Sequence, residues 1–304
     1  MIVVLAGGTG GAKLARGIAE AEGPDSLTVI ANTGDDVDVY GVHVSPDPDL
    51  ITYRLAGILD EQRGFGVEGD TREVMTALER AGGSAWFDLG DRDLATCLLR
   101  TEMLAAGERL TTAAVRIARG LGVRARVLPM SDDPVRTHVL SAGRRIPFQE
   151  FMVRHRTAPA IEGVELARAE DARPTPEVLA AVAGAEAIVI GPSNPVISVG
   201  PILALAGMRE ALRAAQAPVV AVSPFVRGRA VKGPTEAFCR HAGLGVGARA
   251  ALEAYRGLLD GVVADEPLDD PEVRSLEVDT RMDRSGAARS LAAVTLEFAR
   301  KLAR

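Results

Sequence analysis

The sequence predicts an α/β protein with a doubly wound, mostly parallel sheet and a smaller inserted α+β subdomain. Short apolar runs rich in β-branched residues, typical of strands buried on both faces, alternate with stretches of helical character. Such alternation builds parallel sheets with helices on both faces. The predicted strands are residues 2–6, 27–31, 125–128, 187–190, 219–222 and 261–264, and the predicted helices include 72–80, 113–118, 176–183 and 202–214.

The first strand leads into a glycine-rich loop. Ile2-Val3-Val4-Leu5-Ala6 is followed by Gly7-Gly8-Thr9-Gly10-Gly11, and a helix is expected from Ala12. A strand, a glycine loop and a helix N-terminus form an anion site, because backbone N–H groups and the helix dipole favour negative charge. We therefore predict that residues 8–11 bind a phosphate, although a tight turn would also use glycine.

The loop matches neither of two familiar phosphate motifs. The dinucleotide fingerprint G-x-G-x-x-G needs a third glycine where Lys13 stands. A P-loop needs Gly-Lys-Ser/Thr, but Ala12 precedes Lys13 and Leu14 follows it. The sequence thus predicts a phosphorylated ligand without identifying it as NAD or ATP.

Caps and a hairpin organise the middle of the chain. Asp70-Thr71-Arg72-Glu73 has the form of a capping box, and Thr112 is placed to cap the next helix. Residues 137–140 and 145–148 predict a β-hairpin, and an Arg-rich polar segment follows it. We therefore divide the chain into a first core part, an inserted subdomain and a second core part, at residues 1–134, 135–175 and 176–304.

Composition and charge exclude several classes of protein. The 304 residues are 47% hydrophobic and 25% charged, which argues against disorder. A formal net charge of −6 argues against sequence-independent nucleic-acid binding. Cys97 and Cys239 lack disulfide or metal spacing and are expected to be buried thiols in a reducing cytosol. The apolar stretch 196–208 is too short to cross a membrane, and no signal peptide is expected before the first strand, so we predict a cytoplasmic protein.

Polar clusters follow most of the predicted strands, at the sheet edge where open α/β proteins bind ligands. Each cluster is also good turn or capping chemistry, but four on one edge favour a binding crevice. They are Asn32-Thr33-Gly34-Asp35-Asp36, residues 129–134, Gly191-Pro192-Ser193-Asn194-Pro195 and Ser223-Pro224-Phe225, with Arg227, Arg229 and Lys232 in the loop after the last.

Acidic residues in and near these clusters predict a magnesium site. Carboxylates are hard oxygen ligands suited to Mg²⁺ beside a phosphate, whereas the four histidines are scattered without metal-ligand spacing. The implied chemistry is phosphoryl-type transfer, in which positioning and charge neutralisation dominate. The candidate acids are Asp35, Asp36, Asp47, Asp49, Asp132 and Asp133.

Eight motifs in this order resemble those of the 2-phospholactate transferases of deazaflavin coenzyme biosynthesis, called CofD, or FbiA in actinobacteria. The similarity extends from Met1 to about Pro234. The motifs are Gly7 to Leu14, Asn32 to Asp36, Ser45-Pro46-Asp47-Pro48-Asp49, Leu89-Gly90-Asp91-Arg92-Asp93, Pro129 to Val135, Phe148-Gln149-Glu150-Phe151, Gly191 to Pro195 and Val222-Ser223-Pro224.

The resemblance implies a Rossmann-like core, a smaller subdomain, Mg²⁺ dependence and a homodimer. It implies transfer of 2-phospholactate or phosphoenolpyruvate from a guanylylated donor to the ribityl hydroxyl of the deazaflavin Fo. GMP leaves, and F420-0 or dehydro-F420-0 forms. The sequence leaves the choice between the two acids open, because they differ by two hydrogens.

The resemblance also implies roles for individual residues. Gly8, Thr9, Gly10, Gly11 and Lys13 are expected to hold the diphosphate, and residues 191–194 to contact the guanylyl half. Asp49 is expected to contact the deazaflavin and to orient or deprotonate its hydroxyl. Asp35 and Asp36 are expected to hold Mg²⁺ directly or through water. The predicted catalytic residues are Asp49, Asp35 and Lys13, and the further substrate-binding residues are Asn32, Asp47, Asp88, Gly191, Ser193, Asn194 and Ser223.

One departure and two alternatives accompany this interpretation. Asp88 stands where some family members carry a basic residue at the Fo site, so a positive charge beside the acceptor is lost. The first alternative is a non-catalytic nucleotide-sugar-binding regulator of the same fold, which is not expected to carry all of these motifs. The second, an NAD-dependent oxidoreductase, lacks the third glycine of its fingerprint.

Overall fold

The computed structural model describes residues 1–231 and 233–303, so Lys232 of the predicted loop lies outside the described residues. The strands are β1 Ile2–Ala6, β2 Leu27–Ala31, β3 Val37–Val39, β4 Val42–Val44, β5 Arg126–Pro129, β6 Arg136–Ser141, β7 Arg144–Pro147, β8 Gly163–Ala167, β9 Ala187–Ile190, β10 Val219–Val222, β11 Phe225–Val226, β12 Arg229–Ala230, β13 Gly261–Ala264 and β14 Arg274–Glu277. The α-helices are α1 Gly8–Glu22, α2 Pro46–Ala56, α3 Glu73–Arg80, α4 Asp91–Ala105, α5 Leu110–Gly120, α6 Pro176–Ala183, α7 Gly200–Ala204, α8 Met208–Ala214, α9 Thr235–His241, α10 Ala248–Ala254 and α11 Ala287–Leu302.

A seven-stranded parallel sheet forms the centre of the protein. Its order is β14-β13-β10-β9-β1-β2-β5, so the chain builds outward from β1 in one direction, then returns to β9 and builds outward in the other. Val4 of β1 lies opposite Val29 on one side and Val189 on the other. This confirms the predicted Rossmann-like α/β fold. The reversal between β1 and β9 opens a crevice at the carboxyl ends of these strands.

Helices cover both faces of the sheet because alternate strand residues point to opposite sides. Val3 and Leu5 pack towards α6, α7, α8 and α10, whereas Ile2 and Val4 pack towards α1 and α11. Gly17 allows α1 and α11 to approach closely, since a Cβ there would lie 2.2 Å from the Ala288 carbonyl oxygen. Both faces of β1 are therefore buried, as its continuous apolar run predicts.

Several local predictions are wrong. The helix expected from Ala12 already begins at Gly8, and the helix expected at 202–214 is interrupted by Gly207, whose φ is +89°. Neither predicted side-chain cap forms at α3 or α5. Distant acids accept these N-terminal N–H groups instead: Asp91 from Glu73 (3.0 Å) and Val74 (3.1 Å), and Asp132 from Thr111 (2.8 Å). Caps of this kind come from tertiary contacts that local spacing does not reveal.

The inserted segment forms a separate antiparallel sheet of order β7-β6-β8, and the predicted hairpin is its β6–β7 pair. A π-helix at Glu150–Arg154 follows, and its Phe151 ring packs against Phe238 of α9 with centroids 6.0 Å apart. The boundaries of the three predicted parts stay a prediction. Within the part of the chain that the structure describes, no helix is long and apolar enough to cross a membrane.

Candidate active site

A cavity of about 730 Å³ lies at the carboxyl ends of the central strands. Loops after β1, β2, β9 and β10 line it, together with the first turn of α2 and the segment after β14. The structure thus brings most of the predicted site residues to one place. Those that line the cavity are Gly8, Thr9, Gly10, Lys13, Asp35, Asp47, Asp49, Asp88, Ser193, Asn194 and Ser223.

The glycines after β1 let two loops pack against each other. A Cβ on Gly10 would lie 2.1 Å from the Pro192 carbonyl oxygen, and one on Gly11 would lie 2.6 Å from Ser193 Oγ. Gly8 differs, because its φ is +64° and no described atom lies within 4 Å of its added Cβ. Close packing therefore accounts for Gly10 and Gly11, and Gly8 is the position with open space.

Asp47 fastens α2 to the N-terminus of α1. Its Oδ1 accepts the Gly8 N–H at 2.7 Å, and its Oδ2 accepts an N–H of the Asn32 amide at 2.9 Å. Burial raises the pKa of Asp47 to about 6, against the lowering effect of these hydrogen bonds. Asn32 is fully buried and donates to Asp47, so it influences the cavity by holding that carboxylate. Direct contact of Asn32 with a substrate stays a prediction.

Asp35 and Asp36 have different surroundings. Asp35 lines the cavity, and its Oδ1 is buried without a hydrogen-bond partner among the described residues. Burial, with the nearby Asp47, raises the pKa of Asp35 well above its usual range. Asp36 Oδ1 accepts a hydrogen bond from Ser45 Oγ at 2.8 Å, and Asp36 Oδ2 lies 3.0 Å from His43 Nε2, so both of its oxygens are engaged. An oxygen of Asp35 is therefore available to a cation, whereas Asp36 is held by protein groups.

Asp49 forms a buried ion pair with Arg100 of α4. The pair joins Asp49 Oδ1 to Arg100 Nη2, and the two side chains are 7% and 2% exposed. Asp49 Oδ2 is buried and has no hydrogen-bond partner among the described atoms. Burial raises the pKa of Asp49, and the Arg100 guanidinium opposes this effect. Arg100 thus fixes one carboxylate oxygen of Asp49, a residue that lines the cavity, and the other oxygen stays unpaired among the described residues.

Asp93 is a second acid beside Asp49. Ligand atoms of Asp49, Asp93 and Cys97 all lie within 4.8 Å of one another, and Tyr53 donates its hydroxyl to Asp93 Oδ1 at 2.9 Å. Burial and the Asp49 carboxylate raise the pKa of Asp93 to about 7. Because Arg100 already holds one oxygen of Asp49 and the Tyr53 hydroxyl one oxygen of Asp93, we assign no metal to this cluster.

The loop after β9 presents an unused amide. Asn194 Oδ1 accepts the Val196 N–H at 2.9 Å, while its buried Nδ2 lacks a partner among the described residues. Ser193 Oγ accepts the Gly7 N–H at 3.3 Å, and Ser223 Oγ accepts the Phe225 N–H at 3.1 Å. Gly191 lies behind this surface, where its N–H donates to the Leu5 carbonyl at 2.9 Å. Asn194 therefore has hydrogen-bonding capacity free for a ligand.

The segment after β14, which no sequence motif predicts, completes the wall beside the glycine loop. Thr280, Arg281, Met282 and Asp283 line the cavity there, and Lys13 Nζ donates to the Met282 carbonyl at 3.3 Å. This segment is about 270 residues from Lys13 in sequence, and no motif marks it. Only the return of the chain along β14 brings it to the site.

Aromatic and aliphatic side chains form another part of the wall. They come from α2, the loop before α3, the segment before α4, the inserted segment, the segment after β9 and the hairpin after β10. They are Leu50, Tyr53, Phe65, Phe87, Phe148, Met152, Val153, Ile197, Val226 and Val231. The cavity therefore combines acids, amides and a glycine loop with a surface suited to a planar aromatic group.

Comparison with known sequences assigns the family. Residues 2–296 match the family described as 2-phospho-L-lactate transferase CofD. The chain belongs to this family.

Similar proteins in the CofD family carry two names. A phosphoenolpyruvate transferase of Kitasatospora aureofaciens is 44% identical over 87% of this chain and 84% of its own length. A protein of Streptomyces griseus with the same name is 39% identical over 99% of both chains. A 2-phospho-L-lactate transferase of Methanosarcina mazei is 38% identical over 87% of both chains. These similar proteins are thus named for one or the other of the two acids between which the sequence leaves the choice open.

Solved structures show the same fold at greater distance. A Bacillus halodurans protein described as a member of the UPF0052 family has a TM-score of 0.63 at 20% identity, over 97% of this chain and 98% of that one. At this identity the match supports the architecture alone.

Neighbouring arginines neutralise Asp88, the acidic residue that stands where a basic residue was expected from the family resemblance. Its carboxylate pairs with Arg63 and, at 2.6 Å, with Arg72 Nε. The Arg63 guanidinium also lies 4.6 Å from the centroid of the Phe65 ring, which lines the cavity. Positive charge is thus present at this edge of the cavity although residue 88 is acidic.

The expectation that Asp132 and Asp133 belong to the crevice is wrong. Asp132 caps α5 and pairs with Arg109 at 2.7 Å, and Asp133 accepts the Arg173 N–H at 3.1 Å. They follow β5, which is the edge strand and is separated from β1 by β2, and neither is among the described residues that line the cavity. In this CofD-family chain they have structural partners.

We expect D93N to change how stability depends on pH. Since the folded state raises the pKa of Asp93 to about 7, it binds this proton more tightly than the unfolded chain does. Ionisation of Asp93 therefore lowers the free energy of unfolding progressively as pH rises from about 4 to 7, by up to about 1.4 kcal/mol per pH unit. We expect urea unfolding at pH 5, 6, 7 and 8 to show that the free energy of unfolding of D93N increases relative to that of the parent up to pH 7. Above pH 7 the difference should stay constant. Parallel curves would contradict the raised pKa.

Proposed function

We propose that this chain transfers a phospho-three-carbon-acid unit, 2-phospholactate or phosphoenolpyruvate, from its guanylylated diphosphate donor to the deazaflavin Fo. GMP is released, and F420-0 or dehydro-F420-0 is formed. The observation that carries this proposal is one cavity in which a helix-terminal glycine loop and an aromatic surface flank a buried carboxylate with a free oxygen.

The first turn of α2 connects the two parts of this cavity. Asp47 bonds the glycine loop through Gly8, and Asp49 lies beside Asp93. Asp93 in turn lies 3.9 Å from the position of a Cβ on Gly66, next to Phe65. A diphosphate on the glycine loop and an aromatic acceptor near Phe65 would therefore meet at Asp49.

The proposed reaction is a displacement at the phosphorus of the three-carbon acid. The acceptor hydroxyl oxygen forms the new P–O bond, its proton passes to Asp49 Oδ2, and the bridging P–O bond to GMP breaks. GMP departs with that electron pair. The Gly8 N–H is taken by Asp47, so the remaining N–H groups of the first turn of α1, together with the amide of Asn194, would bind donor oxygens.

The residues also fit Mg²⁺ as the proposed cofactor. Asp35 Oδ1 is a buried oxygen without a partner among the described residues, at a cavity proposed to bind a diphosphate. Asp35 would hold the ion, and Asp36, whose oxygens are engaged, would act through water. Bound Mg²⁺ would neutralise charge on the diphosphate.

A transfer assay with purified protein, Mg²⁺ and Fo tests the function. Each guanylylated acid is supplied separately, and products are identified by mass. We expect a product with one of the two acids, release of GMP in equal amount, and loss of both signals when EDTA removes the metal. No product with either acid, together with tight binding of a nucleotide sugar, would instead indicate a regulator.

We also propose that the protein acts in the cytoplasm as a homodimer, as the family resemblance implies. Sedimentation equilibrium at assay concentrations measures the assembly directly. A mass of one chain under those conditions would contradict the dimer and leave the transfer reaction unaffected.

A further inference from the structure

Arg100 is a buried arginine whose contacts all converge beside the cavity. It lies in α4 and is 2% exposed. Its Nη2 pairs with Asp49 Oδ1, and its Nη1 donates to the His43 carbonyl at 3.1 Å and lies 4.0 Å from Cys97 Sγ. Two elements therefore hold the guanidinium: β4 through the His43 carbonyl and α2 through the Asp49 carboxylate. Arg100 is not one of the described residues that line the cavity, so it reaches the site through Asp49.

The geometry of this pair separates the two oxygens of Asp49. Oδ1 is engaged by Arg100, whereas Oδ2 has no hydrogen-bond partner among the described residues. Rotation about χ2 of an aspartate exchanges its two oxygens unless one of them is held. A planar guanidinium fixes a carboxylate oxygen in both distance and direction.

We propose that Arg100 is the positioning residue for Asp49: by holding Oδ1, it keeps Oδ2 directed to the acceptor hydroxyl. This inference rests on the proposed role of Asp49 in transfer. Arg100 contacts neither substrate nor the reacting atoms, so its whole contribution to turnover is transmitted through one carboxylate.

A purely structural role of this ion pair would have a different effect on the rate of transfer. Buried ion pairs can be replaced by neutral groups without loss of stability, and breaking one partner is costly mainly because the other charge stays buried. If Arg100 only supported folding, its removal would lower the amount of folded protein and leave the rate per folded molecule unchanged. A structural role and a positioning role therefore separate in kcat measured on folded enzyme.

A double-mutant cycle on the full-length enzyme measures the coupling. The variants are R100M, D49N and R100M/D49N, assayed at single turnover with enzyme in excess over Fo so that slow transfer stays measurable. We expect R100M to lower the rate about 100-fold in the parent but about threefold or less in D49N, because residues that act as a unit are strongly non-additive. R100K should recover part of the rate without restoring the parent value, since a point charge does not reproduce the planar fork.

Arg54 provides a matched control. It is a 4% exposed arginine in α2 that pairs with Glu61 at 2.8 Å and is not among the described residues of the cavity wall. Because its partner Glu61 is exposed, R54M should cost less stability than R100M does, and it should change the single-turnover rate of folded enzyme less than about threefold. Thermal melting of all variants defines the folded fraction, and R100K carries the comparison where R100M does not fold.

The outcomes distinguish the two levels of the proposal. An equal loss of rate from R100M in both backgrounds, with D49N strongly impaired, overturns the role of Arg100 and leaves the proposed function intact. A fully active D49N overturns the role of Asp49 and, with it, that of Arg100. A rate in R100K no higher than in R100M counts against positioning by charge and direction.

Discussion

D49N is expected to lower kcat for transfer by about 10²–10⁴-fold, the usual contribution of general-base catalysis. The amide cannot accept the proton of the acceptor hydroxyl at Oδ2, while its oxygen can still accept a hydrogen bond from Arg100. Turnover should therefore fall far more than stability does. The measurement is product formation by mass at saturating donor and Fo, with thermal melting of the same preparation.

Asp171 is a suitable control for the loss of one carboxylate. It is exposed and is not among the described residues of the cavity, so D171N should keep the parent turnover. A D49N enzyme with parent-like turnover would end the role of Asp49 as a base. A D49N enzyme that binds Fo weakly but turns over normally at saturation would limit Asp49 to acceptor binding.

G10A is expected to disrupt the junction between the loops after β1 and β9. Its Cβ would lie 2.1 Å from the carbonyl oxygen of Pro192, so one backbone must move. Overpacking at a rigid site costs about 1–3 kcal/mol and occasionally more. Because the displaced backbone includes the first turn of α1, we also expect donor binding to weaken at least about tenfold. Urea unfolding and calorimetric titration with GDP as the probe measure the two effects.

G120A tests whether a generic glycine-to-alanine change explains the result. Gly120 ends α5, and no described atom lies within 4 Å of a Cβ added there. This substitution should be neutral or stabilising by a few tenths of a kcal/mol, since alanine restricts the unfolded chain. Equal stability and equal GDP affinity of G10A and the parent would contradict the prediction, because they would show that the two backbones at Gly10 and Pro192 move apart at little cost in free energy.

The fold was predictable from sequence because its main signals are local. The apolar runs at 2–6, 27–31, 187–190, 219–222 and 261–264 coincide with strands of the central sheet, because a strand buried on both faces is apolar at nearly every position. The remaining predicted strand was displaced by one residue. The glycine loop after β1 and three of the four polar clusters, those after β2, β9 and β10, also line the cavity, because parallel strands bring their carboxyl ends to one edge. The fourth cluster, after β5, is not among the described residues of the cavity wall.

The partners of each acid were not predictable in this way. Asp35, Asp36, Asp47, Asp49, Asp132 and Asp133 look alike in sequence, yet only some of them face the cavity. Their positions depend on the order of strands, which moves β5 to the edge and sets β1 beside β9.

Local pattern therefore determines the α/β class, the glycine loop and the set of strand-end residues in this protein. Tertiary structure alone decides that Arg100 holds Asp49, that Asp47 fastens the glycine loop and that residues 280–283 close the wall beside Lys13. The physical reason is that burial, pairing and hydrogen bonding depend on which residues distant in sequence become neighbours. Those contacts set the charge and direction of each carboxylate, and hence the chemistry of the site.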